Sequence, residues 1–110
     1  MQITFAKRRM QKSCEEFASL RKEHGAGCAK RISARLAELA AAKSSEEFRH
    51  LPGGCHELNR ERAGQLALKL PDGKRLIFKP AEDPPPTTDD GALEWGAVET
   101  IEILEIVDYH

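Results

Sequence analysis

Leu66-Ala67-Leu68-Lys69-Leu70-Pro71-Asp72-Gly73-Lys74-Arg75-Leu76-Ile77-Phe78-Lys79 is the stretch that decides the fold. Leucines recur at every second position up to Leu70, and alternation resumes after Gly73 through Leu76 and Phe78. Period two means strand, because successive side chains of an extended chain point to opposite faces. Asp-Gly between two such runs is a strong hairpin signal, since glycine takes a positive φ at no steric cost. If Leu66, Leu68, Leu70, Leu76 and Phe78 face a core, then Gln65, Lys69, Arg75, Ile77 and Lys79 point the other way. That second face carries cations. It reads either as a solvated sheet face or as a surface that meets a polyanion.

Upstream the period changes. Gln2-Ile3-Thr4-Phe5 is a brief strand, and from about 7 to 23 the residues Met10, Cys14, Phe17 and Leu20 recur at helical steps until His24-Gly25 supplies a stop. Cys28, Ile32, Leu36 and Leu39 repeat the pattern after Gly25-Ala26-Gly27, so two amphipathic helices pack as an antiparallel hairpin. Ser44-x-x-Glu47 has the spacing of a capping box and predicts a helical turn at 45–49, ended by Pro52-Gly53-Gly54. Downstream, residues 80–97 hold Pro84-Pro85-Pro86 and Asp89-Asp90-Gly91 and read as a flexible acidic loop. The last strand, 98–107, is apolar on both parities, which marks it as central or bulged. The expected fold is α+β in one domain over 1–110: a short N-terminal strand, then a helix hairpin on one face of a mostly antiparallel sheet of three to five strands.

The chain has 110 residues, 40% hydrophobic and 32% charged, with 17 basic and 18 acidic side chains. A single core fits that length, and no apolar run is long enough to span a bilayer. The net charge of -1 hides an asymmetry. All 17 basic residues lie in 1–79 beside 9 acidic ones, 17 minus 9 or +8, and the last 31 residues carry 9 acids and no Lys or Arg. A basic body therefore precedes an acidic segment, which suggests a surface for a polyanion that the acidic segment could equally shield or fold beside. The start lacks the apolar core of a signal peptide, because Lys7-Arg8-Arg9 interrupts it, and a cytoplasmic protein is expected. Cys14, Cys28 and Cys55 form no C-x-x-C pair, so they suggest neither a disulfide framework nor zinc; Cys14 and Cys28 read as small buried hydrophobes.

Two of the four histidines have company. His56 lies near Asn59, Arg60 and Arg62, and His110 follows Asp108-Tyr109. Histidine gives or takes a proton near neutrality, and guanidinium groups stabilise charge developing on phosphate. Together they suit RNA cleavage, in which one group removes the 2′-hydroxyl proton and another protonates the leaving 5′-oxygen. That chemistry needs no metal or cofactor. Alternation sets one difficulty, because His56 shares its side with Leu58 and reaches the cationic face only if the strand begins later or bulges. His24 and His50 read as helix-end residues, and a Cys55/His56/His110 metal site is poorly supported, since neighbours in a strand point opposite ways.

The stretch Cys55-His56-Glu57-Leu58-Asn59-Arg60-Glu61-Arg62-Ala63-Gly64-Gln65, the run Arg75-Leu76-Ile77-Phe78 and the terminal Glu105-Ile106-Val107-Asp108-Tyr109-His110 resemble a HigB-type toxin of the RelE/ParE toxin-antitoxin superfamily. The resemblance spans nearly the whole chain. It implies a RelE-like fold, a ribosome-dependent endoribonuclease that cuts mRNA and inhibits translation, and a helix-turn-helix antitoxin of the HigA type as partner, with DNA met only through the antitoxin complex. It places His56, Arg75, Asp108, Tyr109 and His110 in catalysis, with Arg75 on the scissile phosphate and Arg62 and Gly64 in a turn. Asn59, Arg60, Arg62, Lys69 and Lys74 would hold RNA. Asn59-Arg60 stands where the family often has Lys-Gly, and the acidic 80–97 loop is longer than the family's usual few residues. That loop would place Trp95 and its acids near the RNA-binding face, contact the antitoxin or, as slightly favoured, be merely solvated. Two alternatives accompany this reading: a ParE-like toxin that binds gyrase without cutting, and an inactive member that only binds an antitoxin.

Overall fold

The computed structural model describes residues 1–48, 55–58 and 60–108. Its elements are β1 (Gln2–Phe5), α1 (Arg8–Glu15), α2 (Phe17–His24), α3 (Ala26–Ala41), β2 (Cys55–Glu57), β3 (Leu66–Lys69), β4 (Lys74–Pro80) and β5 (Thr100–Asp108). One five-stranded sheet runs in the order β1-β5-β4-β3-β2, antiparallel throughout except for the parallel pair β1 and β5. The last strand is thus internal. It is also opposite a register shift between Ile77 and Phe78, which explains the mixed parity of its apolar residues. Among the described residues no helix is long and apolar enough to cross a membrane.

The hairpin that decides the fold forms as its alternation predicts. Leu66, Leu68, Leu70, Leu76 and Phe78 are buried against Leu20, Cys28, Ala29, Ile32 and Leu39 of the helices. Asp72 (φ 62°) and Gly73 (φ 75°) both take left-handed backbone between the strands, the requirement of a tight turn whose twist matches its strands. Leu70 N–H donates to the Lys74 carbonyl at 2.9 Å across it.

The helical expectation over 7–23 needs correction. Two helices meet at Glu16, whose φ of -118° and ψ of 104° are extended. The break lets α1 pack on β1 while α2 packs on α3, and the Ser13 hydroxyl ties the two by donating to Glu23 Oε1 at 2.8 Å. Phe17, part of the apolar stripe that suggested one helix, is left 43% exposed. The connection to α3 is also shorter than expected: Gly25 alone, at φ 84°, ends α2 and begins α3. A 3-10 turn covers Ser45–Phe48, and the Glu47 carboxylate accepts from Lys43 N–H.

Residues 81–97 are exposed over most of their length, as expected of a solvated loop, but they are pinned to the body at a few positions. Glu82 Oε1 accepts from the backbone of Glu99 and Thr100 at 3.0 and 3.2 Å, and a bridge joins Thr87 to Leu93. Trp95 is buried in the helix-side core, with its Nε1 donating to Glu57 Oε1 at 3.0 Å. The indole supplies the apolar area that fixes the segment, while its one polar atom finds a carboxylate.

Candidate nucleic-acid interface

Cross-strand register builds the face that the helices leave uncovered. One row across four strands reads His56, Ala67, Ile77, Glu105, and the next reads Lys69, Arg75, Val107. The alternation difficulty at His56 is thereby removed. Cys55 enters the core, His56 points the opposite way, and the strand ends at Glu57 before Leu58 has to choose a side. Lys69 and Arg75 are direct cross-strand partners, a pairing of like charges that costs stability and is relieved by an anion between them. His56 and Arg75 stand two strands and one pleat repeat apart, about 12 Å between Cα atoms from standard sheet spacings, too far to bond directly and suited to flanking a bound group. Arg75 Nη1 donates to the Lys74 carbonyl at 3.0 Å, and the residue is half-buried.

This face is less open than its cations suggest. Ile77 is fully buried and Ala67 nearly so, although alternation turns both away from the helix-side core. Arg62, in the 3-10 turn after β2, reaches across β3 and β4 to Glu105 on β5, and its Nη1 also donates to Gln65 Oε1 at 3.1 Å. An arginine that spans this row to reach Glu105 carries methylenes that can cover the apolar pair between them. Arg62, expected from the resemblance to hold RNA, is thus engaged by Gln65 and Glu105. Glu105, its partner, was not singled out from the sequence. Its signal was a lone charge inside Ile103-Leu104-Glu105-Ile106-Val107.

Arg60 is exposed and holds a left-handed φ of 58°, a conformation natural to glycine, at the position where the resembling family often has one. Beside the face, a cavity of about 470 Å³ is walled by Gly64, Gln65, Lys79, Glu82, Asp83 and Glu102, so acidic side chains border the cationic rows.

Two expected site residues lie elsewhere. Asp108 pairs in register with Lys74, and alternation puts both on the helix side with Leu76 and Ile106, across the sheet from Arg75. There Lys74 Nζ is 3.4 Å from His24 Nδ1. Burial first, and then the Lys74 ammonium, hold His24 below its ordinary pKa of 6.5, against smaller opposing effects of Glu23 and Asp108. His24 is thus more than a helix-end residue. Asn59, Tyr109, His110, His50 and the Pro52-Gly53-Gly54 turn lie outside the described residues. Cys55 and His56 point to opposite faces, and burial pushes the Cys55 thiol up to about 12 and Cys14 to about 11. No protein-family model and no curated protein matches the chain.

Proposed function

We propose that the protein is a toxin of the HigB type within the RelE/ParE superfamily, an endoribonuclease that cuts mRNA on the ribosome in the cytoplasm. The observation that carries this reading is that His56 shares the uncovered sheet face with the directly paired cations Lys69 and Arg75. In the reaction, the 2′-hydroxyl oxygen attacks the adjacent phosphorus, the bond to the 5′-oxygen breaks, and a cyclic phosphate and a 5′-hydroxyl result. Arg75 neutralises charge growing on the phosphoryl oxygens, with Lys69 beside it. His56 exchanges one of the two protons, and His110 is the proposed group for the other. Asp108 is not carried forward as a catalytic group, because it sits with Lys74 on the far side of the sheet. Arg60 and Lys69 track the RNA backbone, and the Arg62–Glu105 pair holds the surface flat. A helix-turn-helix antitoxin is the partner this reading requires.

The test is inducible expression in bacteria with mapping of mRNA 5′ ends on ribosomes. The intact protein should arrest growth and generate new ends within codons, and His56→Ala or Arg75→Ala should lower cutting by roughly 100-fold or more. Cutting that survives both changes removes this face from the mechanism. The displacement of Asp108 favours a second reading, a ParE-like toxin that binds gyrase without cleaving RNA. Inhibited supercoiling with intact ribosomal mRNA would establish it.

A further inference from the structure

β1 covers only part of β5. The parallel pairing ends at Phe5 and Ile103, and Ala6 N–H donates to the Ile103 carbonyl at 2.9 Å as the last rung before the chain turns into α1. β5 continues to Asp108 with β4 on its other side. Over residues 104–107 the edge facing α1 has no strand partner among the described residues, and all four are half-buried. Alternate residues there direct backbone N–H and C=O groups outward, a template for a further strand.

The space beside that edge is a cavity of about 240 Å³ between α1, the end of α2 and β5. Met10, Leu104 and Ile106 give it an apolar floor, and Lys7 and Arg9 stand on its rim. Residues 7–15 carry four cations against the single acid Glu15; Lys7 and Arg9 border this cavity, whereas Arg8 and Lys12 lie on the other flank of α1 with Phe5 and Gln11. The acids that border the cavity are engaged already, Glu23 by the Ser13 hydroxyl and Glu105 by Arg62.

We infer that the edge of β5 at 104–107, with the groove along α1, is a docking site for an extended peptide of alternating apolar and acidic residues, added to the sheet as a sixth strand. Backbone rungs hold the peptide, alternate apolar side chains enter the Met10–Leu104–Ile106 floor, and the intervening carboxylates meet Lys7 and Arg9. RNA fits this place less well, because an apolar floor and a row of backbone donors and acceptors match a strand rather than a phosphodiester chain. The inference does not depend on the RNA-cleaving reading: Glu105 and Val107 of the edge sit at the ends of the two rows, but the edge would be used through its backbone, and His56, Lys69 and Arg75 do not contribute.

The test uses the full chain labelled with ¹⁵N and a blocked peptide of about nine residues alternating valine and glutamate. Binding should shift the amides of 104–107 and slow their hydrogen exchange. A proline at the centre of the peptide, which removes a rung, should weaken binding by roughly tenfold. Lys7→Glu with Arg9→Glu, both exposed positions, should weaken it by at least fivefold, about one kcal/mol. Three results would overturn the inference: unchanged exchange at 104–107 at saturating peptide, equal affinity for the proline peptide, or preferential binding of a single-stranded RNA of equal charge to the same cations. Loss of mRNA cleavage with peptide binding intact would instead count against the catalytic reading alone.

Discussion

The two faces of β4 are built from alternate residues of one strand, yet different forces hold them. Toward the helices, Leu76 and Phe78 are buried in a continuous core of Leu20, Ile32, Leu39 and their neighbours. Away from the helices, Ile77 is just as buried but pairs in register with Glu105, the partner of Arg62. Equal burial therefore need not mean equal cost of replacement. A core closed by helices cannot collapse around a lost side chain, whereas a surface closed by Arg62 can follow the gap.

The largest expected effect sharpens this contrast. Phe78→Ala should cost about 3–5 kcal/mol in urea unfolding, and Ile77→Ala roughly 2, at the low end of its class. Equal costs would show that the arginine closes its face as firmly as the helices close theirs. Next in size, Arg60→Gly relieves a left-handed φ and should stabilise the fold by about 1 kcal/mol while lowering RNA affinity and reducing its salt slope by about one. A stabilised variant with unchanged salt dependence would remove Arg60 from the interface. A smaller effect concerns His24 on the helix side. Its folded pKa is depressed, so the stability it contributes is present above its ordinary value of 6.5 and is lost as pH falls through the folded pKa. Lys74→Met should raise the His24 pKa and shrink this acid destabilisation, read by NMR titration of the ring. No movement would leave burial as the whole cause. Least of all, Lys79→Ala on the uncovered side breaks a 3.6 Å pair with Glu102 between partly exposed side chains and should change stability by less than about 0.5 kcal/mol.

The strand alternation around Asp72-Gly73 was legible because burial acts on every second residue and the turn has few conformations. The break at Glu16 was not, because Met10, Cys14, Phe17 and Leu20 keep helical phase across it and only the packing of α1 on β1 requires the bend. Among the site residues, Lys69 and Arg75 were placed on one face by parity alone, whereas parity ran against His56, because the end of β2 at Glu57 releases Leu58 from the alternation. Asp108 was not, since its side depends on the register shift opposite Ile77–Phe78, which no local pattern announces. The burial of Trp95 was hidden for another reason. Proline and acid dominate the composition around it, while one indole and its bond to Glu57 decide where the segment lies.

The parallel pairing of β1 with β5 joins Gln2 to Thr100 and Phe5 to Ile103. Both neighbours of β5 precede it in the chain, so during synthesis β1 and the β2–β4 hairpins wait without the strand that unites them. The sheet is completed only when this strand becomes accessible, and the contacts that close it span almost the whole sequence, which slows the search for them. A chain built this way acquires its uncovered face late and all at once, because the row containing Arg75 has no third member until Val107 arrives.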